Sequence, residues 1–126
     1  MENRILALLT QGNWQQDHDL IQGLKEWPRY PLLLQAYQTL DERALFQSWV
    51  HGPGHIHRVL LLAALIGWQE DLDEGMLCQL FRAASYHDVG RTFDGFDIYH
   101  GARSALRLER LTGQTGEPLK QLQAAV

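Results

Sequence analysis

Histidine and aspartate stand side by side at positions 87 and 88, at the end of an apolar run with helical spacing. Side chains of adjacent residues point about 100° apart on a helix, so His87 and Asp88 cannot face each other. Both can instead close on an ion that lies between them. Such a pair is common by chance, and a metal-site hypothesis therefore depends on partners elsewhere in the chain.

Two other histidines are predicted to lie beside this pair. His55 opens the strongly apolar helix that precedes it, and the short connection at 67–73 predicts that the two helices run antiparallel. The start of one then lies beside the end of the other, and His100, after the following loop, begins its helix at the same end. Imidazole and carboxylate together suit Zn, Fe, Mn, Co or Ni, and an oxygen-richer set favours Mg or Mn. The predicted ligands of a divalent ion are His55, His87, Asp88 and His100.

The remaining histidines have simpler interpretations. His18 lies between two aspartates on a polar helix face. His51 precedes His55 by four residues, but the Gly-Pro-Gly sequence between them breaks a shared helical face, which favours an exposed loop residue or an outer residue of the site. His57 is two positions from His55 and faces away from it on the helix.

Helical spacing of apolar residues predicts an all-α domain. The central helix is expected over 55–66 with Gly67 as its cap, the next over 74–88 with Asp73 as N-cap, and a later one over 98–111 with Gly113 as its stop. Asp41 is a good N-cap for a helix over 42–50 that buries Leu45, Phe46 and Trp49. Residues 1–49 are interpreted as N-terminal helices and 50–112 as the core that carries the metal motifs.

Length and composition exclude several classes of protein. A chain of 126 residues with 45% hydrophobic residues fits one globular domain. The net charge of −4 argues against a nucleic-acid partner, because phosphate binding needs a basic surface. The single cysteine, Cys78, excludes an internal disulfide, and the longest apolar run is too short to span a bilayer. The expectation is a cytoplasmic protein without a membrane partner.

Three short motifs together carry a resemblance to a known family. They are HIHRV at 55–59, YHDVGR at 86–91 and HGARSA at 100–105. Over about residues 50–106 the chain resembles the HD-domain superfamily of helical, metal-dependent phosphohydrolases. The resemblance implies a bundle of about six to seven helices, with His55 as first ligand and His87 and Asp88 as the ligand doublet. It matches His100 to an additional histidine that holds a second ion or contacts the substrate phosphate.

The resemblance also implies a function. In the family, the metal lowers the pKa of bound water and polarises the phosphoryl oxygen, and the doublet aspartate can bridge two ions. Asp88 and Arg91 are the predicted catalytic residues, with the Arg91 guanidinium as a clamp for a phosphate oxygen pair. A surface salt bridge from Arg91 to Asp94 or Asp97 is the equal alternative. The expected substrate is a nucleotide or another small phosphate ester.

One feature of the family pattern is missing. Its last ligand is an aspartate on a later helix, and nothing after His100 fits; Asp94 and Asp97 lie too close to the doublet to replace it. Either the chain is the front part of a longer protein, which is the favoured explanation, or the site has lost that ligand. The alternative function is therefore a catalytically weak or inactive module that binds a metal, a nucleotide or a protein partner. A truncated core would expose apolar surface that a homo-oligomer can cover.

Overall fold

The computed structural model describes residues 18–126, in which every regular element is helical. The all-α prediction is confirmed for this part of the chain, whereas the predicted N-terminal helical segments within residues 1–17 lie outside it. None of the described helices is long and apolar enough to cross a membrane. The six α-helices are α1 His18–Glu26, α2 Tyr30–Thr39, α3 Pro53–Gln69, α4 Glu74–Tyr86, α5 His100–Thr112 and α6 Gly116–Ala125.

Helix α4 is the centre of the bundle, and α3 packs against α4 and α2. The buried positions of α3 recur at helical spacing, so that Ile56, Leu60 and Ala64 line one inward face. Leu62 and Ile66 are exposed, so the helix is buried on one side although apolar residues occur nearly all round it. Helices α2, α5 and α6 also contact α4. The fully buried leucines of the core come from all six described helices: Leu24, Leu33, Leu60, Leu77, Leu108 and Leu122.

Gly67 lies inside α3, and its predicted role as the helix cap is wrong. The helix continues to Gln69 and is capped by Glu70. A Cβ atom at Gly67 would lie 2.4 Å from Leu77 Cδ2, so the glycine lets α4 approach α3 closely. Local sequence cannot distinguish a glycine that ends a helix from one that admits a neighbouring helix.

The other predicted helix ends are close to those observed. The Asp73 carboxylate accepts a hydrogen bond of 2.8 Å from the Met76 backbone N–H and caps α4. Gly113 ends α5 in the left-handed conformation, with φ of 70°. Pro53 stands in the first turn of α3, where a missing N–H costs no hydrogen bond. These local signals fix where the helices that surround the site begin and end.

The predicted helix over 42–50 is wrong. Only a single 3₁₀ turn forms there, at Glu42–Ala44, and Asp41 makes no capping hydrogen bond through its side chain. The Glu42 carbonyl accepts the Leu45 backbone N–H at 3.3 Å and the Gln47 side-chain amide at 2.9 Å, whereas a continuing α-helix would pair it with the N–H of Phe46. The rest of the segment is an irregular loop, and Trp49, which the helix would have buried, is 92% exposed.

The turn after α4 is held tightly against α5. The hydroxyl of Ser104, a fully buried residue, accepts the Gly90 backbone N–H at 2.9 Å and lies within hydrogen-bond distance of the carbonyls of His87 and His100, at 2.8 and 2.7 Å. The Arg103 guanidinium donates to the Gly90 carbonyl at 2.6 Å. Since His87 and His100 are both candidate ligands, this single hydroxyl links the backbones that carry them.

Replacing Gly90 by alanine is expected to lower the free energy of unfolding by about 1–3 kcal/mol. The added Cβ would lie 2.4 Å from the Ser104 backbone nitrogen and 2.6 Å from Arg103 Cβ, where no flexible side-chain end can yield. Urea unfolding followed by circular dichroism measures the change.

The matched control is Gly75→Ala, in the first turn of α4, where the nearest atom to the added Cβ is 3.5 Å away. Alanine is favoured over glycine within a helix by about 0.5–1 kcal/mol, so this variant should be as stable as the parent or more so. Equal destabilisation by both substitutions would contradict the close contact between the turn and α5.

Candidate metal centre

The carboxylate of Asp88 is the centre of the candidate site, and the residue is only 3% exposed. His51 Nδ1, His55 Nε2 and His87 Nε2 lie 3.4, 3.2 and 3.3 Å from its Oδ2 atom. His100 Nε2 lies 3.4 Å from the second oxygen, Oδ1. The structure thus brings together the four residues that the sequence predicted to converge, and their role as ligands stays a prediction.

Three helix ends produce this arrangement. His55 lies in the first turn of α3, His87 and Asp88 directly follow the last turn of α4, and His100 is the first residue of α5. Because α3 and α4 pack against each other with the start of one beside the end of the other, residues more than thirty positions apart become neighbours. The His51 and His55 rings, and the His55 and His87 rings, each lie with centroids 5.5 Å apart.

His51 is the site residue that sequence reasoning underestimated. Its Nδ1 atom is buried, has no hydrogen-bond partner, and points at the Asp88 carboxylate from 3.4 Å. The loop that carries it folds back sharply, since a Cβ at Gly52 would lie 2.1 Å from the Ser48 carbonyl oxygen. The glycine and proline that appeared to separate His51 from His55 are the residues that let the chain turn just before α3. The sequence signal that could have placed His51 in the site was its position four residues before the predicted ligand His55.

The proton positions of two imidazoles follow from their backbone contacts. His87 Nδ1 lies 2.9 Å from the Ala84 carbonyl oxygen, and His100 Nδ1 lies 2.6 Å from the Asp97 carbonyl oxygen. A carbonyl only accepts, so Nδ1 carries the proton in both rings. In the neutral imidazole, Nε2 is then unprotonated, and its lone pair faces a carboxylate oxygen. The lone pair and the negatively charged oxygen repel each other. A proton or a metal ion between the two atoms removes that repulsion, and such hydrogen bonds to carbonyls are typical of metal-binding histidines.

Charge and burial shift the pKa values within the cluster. Burial acts to raise the pKa of Asp88, but hydrogen bonds from His87 and Arg91 outweigh it and hold that pKa well below its usual range. Burial acts to lower the pKa of His87, but its bonds to Asp88 and to the Ala84 carbonyl outweigh it and raise that pKa. For His55, burial prevails and the pKa is lowered. Asp88 is thus an anion at neutral pH, and His55 favours the neutral, ligating form.

The spacing of these atoms fits a shared ion. Atoms that each lie about 2.1 Å from one ion are about 3.0–3.4 Å from each other in octahedral or tetrahedral geometry. The three nitrogens around Asp88 Oδ2 lie 3.2–3.4 Å from it, and the ligand atoms of His51, His55 and Asp88 all lie within 4.8 Å of one another. The imidazole side chains are 21–30% exposed, so the cluster is open to solvent on one side. The group of His51, His55 and Asp88 can hold a metal ion.

Arg91 contacts the same carboxylate. Its Nε atom donates to Asp88 Oδ1 at 3.1 Å, and its Nη1 atom donates to the Gly95 carbonyl at 3.3 Å. The guanidinium is therefore part of the cluster, and the alternative of a surface salt bridge to Asp94 or Asp97 is wrong. The side chain is only 11% exposed.

The other candidates are engaged away from the site. Asp97 is buried and forms an ion pair with Arg103, and it also accepts the Tyr99 backbone N–H at 3.3 Å. Asp94 accepts a hydrogen bond of 2.5 Å from the Ser48 hydroxyl. The buried His57 contacts the Glu42 carboxylate through Nε2 at 2.5 Å, which agrees with the prediction that it faces away from His55. Arg58 is exposed on α3.

Comparison of the chain with protein-family models, with curated proteins and with solved structures finds no match. Membership of the HD-domain superfamily therefore stays an expectation that rests on the three motifs. The function has to be inferred from the chemistry of Asp88 and the histidines around it.

Metal binding should depend on His51 as well as on the four residues predicted from sequence. His51→Ala is expected to weaken the affinity for Mn²⁺ or Zn²⁺ at least about tenfold, and Asp88→Asn about 100-fold or more, since even outer residues of metal sites contribute about 10–100-fold. Isothermal titration calorimetry on the purified chain measures both. His18→Ala, a histidine at the start of α1, is the matched control and should bind as the parent does. Unchanged affinity in His51→Ala would remove His51 from the site.

The same affinity should fall as the pH is lowered. A proton on His87 Nε2 competes with the ion, and the raised pKa of His87 means that this competition begins above about pH 6.5, the ordinary imidazole value. Titrations between about pH 8 and pH 6 test this. An affinity that stays flat over this range would show that no imidazole proton has to leave for the ion to bind.

Proposed function

We propose that this protein is a metal-dependent phosphohydrolase that acts on a small phosphate ester. The observation that carries the proposal is the arrangement at Asp88. His87 and His100 use their Nδ1 protons to bond backbone carbonyls, and their Nε2 atoms face the buried carboxylate. This arrangement is unfavourable without a cation and favourable with one. The three HD-like motifs supply the same residues and connect the ion to phosphoryl chemistry.

The residues around Asp88 Oδ2 are those that would hold the ion: His51, His55, His87 and Asp88. Three imidazoles and one carboxylate favour a transition metal such as Zn, Fe, Mn, Co or Ni over Mg, which prefers oxygen ligands. A divalent ion in such a site lowers the pKa of water towards neutrality and polarises a phosphoryl oxygen. Asp88, held ionised at neutral pH, keeps the negative charge that retains the cation.

Arg91 and His100 are the residues proposed to act on the phosphate. Arg91 uses its Nε and Nη1 atoms to contact Asp88 and Gly95, and the guanidinium has five N–H donors in all, so further donors are available for phosphate oxygens. Those two contacts fix the plane of the guanidinium before a substrate arrives. His100 lies on the Oδ1 side of Asp88, where its Nε2 atom can hold a second ion or, in the protonated ring, donate to a phosphate oxygen.

A second function is favoured by the scarcity of carboxylates. Among the described residues, Asp88 is the carboxylate that contacts the histidine cluster, while Asp94 and Asp97 are bonded to Ser48 and Arg103. An imidazole-rich site with one carboxylate leaves more positive charge on the ion than a site with two. The second candidate is therefore a module that binds a metal without hydrolysing a phosphate ester.

Hydrolysis of p-nitrophenyl phosphate by the metal-loaded protein separates the two functions. The parent chain with Mn²⁺, Co²⁺ or Zn²⁺ should release nitrophenol, and Asp88→Asn and His87→Ala should each lower kcat/KM at least about 100-fold. Arg91→Ala should lower it by about 10–1000-fold, with Arg91→Lys only partly active because lysine cannot bind two oxygens in one plane. His18→Ala is the control and should keep full activity. Tight metal binding at Asp88 without turnover would favour the metal-binding module instead.

A further inference from the structure

Two aromatic side chains are almost completely exposed. Trp49 is 92% exposed and Phe96 is 90% exposed, although each would contribute strongly to a core if buried. Single exposed apolar residues are ordinary, but large aromatic residues grouped on one part of a surface commonly mark a binding site. Phe93, Ile98 and Tyr99 in the same loop as Phe96 are also at least half exposed.

Both aromatic residues are joined directly to residues that contact Asp88. Trp49 is two positions before His51, so their Cα atoms are separated by at most about 7 Å. Phe96 follows Gly95, whose carbonyl oxygen accepts the Arg91 guanidinium at 3.3 Å. The backbones of Trp49 and Phe96 therefore lie beside the histidine cluster and the proposed phosphate clamp.

Hydrogen bonds hold the Trp49 loop in place and tie it to the Phe96 loop. The Ser48 hydroxyl donates to Asp94 Oδ1 at 2.5 Å, and it accepts the backbone N–H groups of Val50 and His51 at 2.9 and 3.2 Å. One hydroxyl thus connects the segment before α3, a candidate ligand and the loop before α5. These hydrogen bonds hold the Trp49 loop in a conformation that leaves the tryptophan side chain in solvent.

We propose that Trp49 and Phe96 bind a planar aromatic group of the substrate whose phosphate lies at Arg91 and the metal centre. This inference rests on the proposed phosphohydrolase function and narrows it to esters that carry an aromatic ring, as opposed to sugar or glycerol phosphates. A planar ring stacks on either side chain without requiring a specific hydrogen bond. The substrate is favoured over a protein partner as the occupant, because both residues are fixed next to the groups that would hold its phosphate.

Binding of phenylphosphonate and methylphosphonate to the Mn²⁺-loaded protein tests the proposal without requiring turnover. The two ligands share the phosphonate group, and they differ in the aromatic ring. Trp49→Ala is expected to weaken phenylphosphonate binding about tenfold, which is the range for removing one aromatic stacking partner, and to leave methylphosphonate binding unchanged within twofold. Trp49→Phe should restore most of the loss, and Phe96→Ala should add to it.

Met76→Ala is the matched control, since Met76 is exposed in the first turn of α4 and the metal centre lies beyond the last turn. It should bind both phosphonates as the parent does. If Trp49→Ala alters neither ligand, or both equally, the aromatic inference is overturned while the phosphohydrolase proposal stands. If neither phosphonate binds the loaded parent, the proposed phosphate site fails and the inference fails with it. A change from dimer to monomer on Trp49→Ala in sedimentation analysis would assign the two aromatic residues to self-association instead and overturn the inference.

Discussion

A buried negative charge is the constraint on which this structure depends. A carboxylate removed from water is strongly destabilising unless opposite charge or hydrogen bonds compensate it. Asp88 is buried where three helix ends meet, and Arg91 contacts it with a permanent positive charge. The imidazoles around it compensate further only when they carry a proton or share a cation. Since His87 and His100 donate their Nδ1 protons to carbonyl groups, their Nε2 atoms compensate the carboxylate only through a second proton or a shared cation.

The helices position this charge through backbone contacts that are independent of any ion. Ser104 connects the carbonyl groups of His87 and His100, and Gly90 lets the turn between α4 and α5 lie directly against α5. Gly67 performs a similar role farther along, where α3 and α4 approach closely. The candidate ligands therefore stand on packed helix ends, which favours a site that is formed in advance of binding. The exposed aromatic residues lie on the two loops next to this rigid base.

Much of the fold and part of the site follow from local sequence signals. The helical class, the cap at Asp73 and the stop at Gly113 depend on side-chain spacing and backbone preference over a few residues, and these are the features predicted well. The convergence of His55 with the His87 and Asp88 pair also followed, because a short connection constrains two long helices to run antiparallel.

Tertiary structure decided what depends on contacts between distant segments. The 42–50 segment carries helical spacing, but it forms a loop in which the Gln47 side chain takes a backbone carbonyl and Trp49 stays in solvent. His51 joins the site because a tight turn precedes α3. A sequence records which residues are available, whereas the choice among their possible partners is made by packing. The free energy of that packing comes from contacts between residues far apart in the chain, so a local sequence pattern cannot predict it.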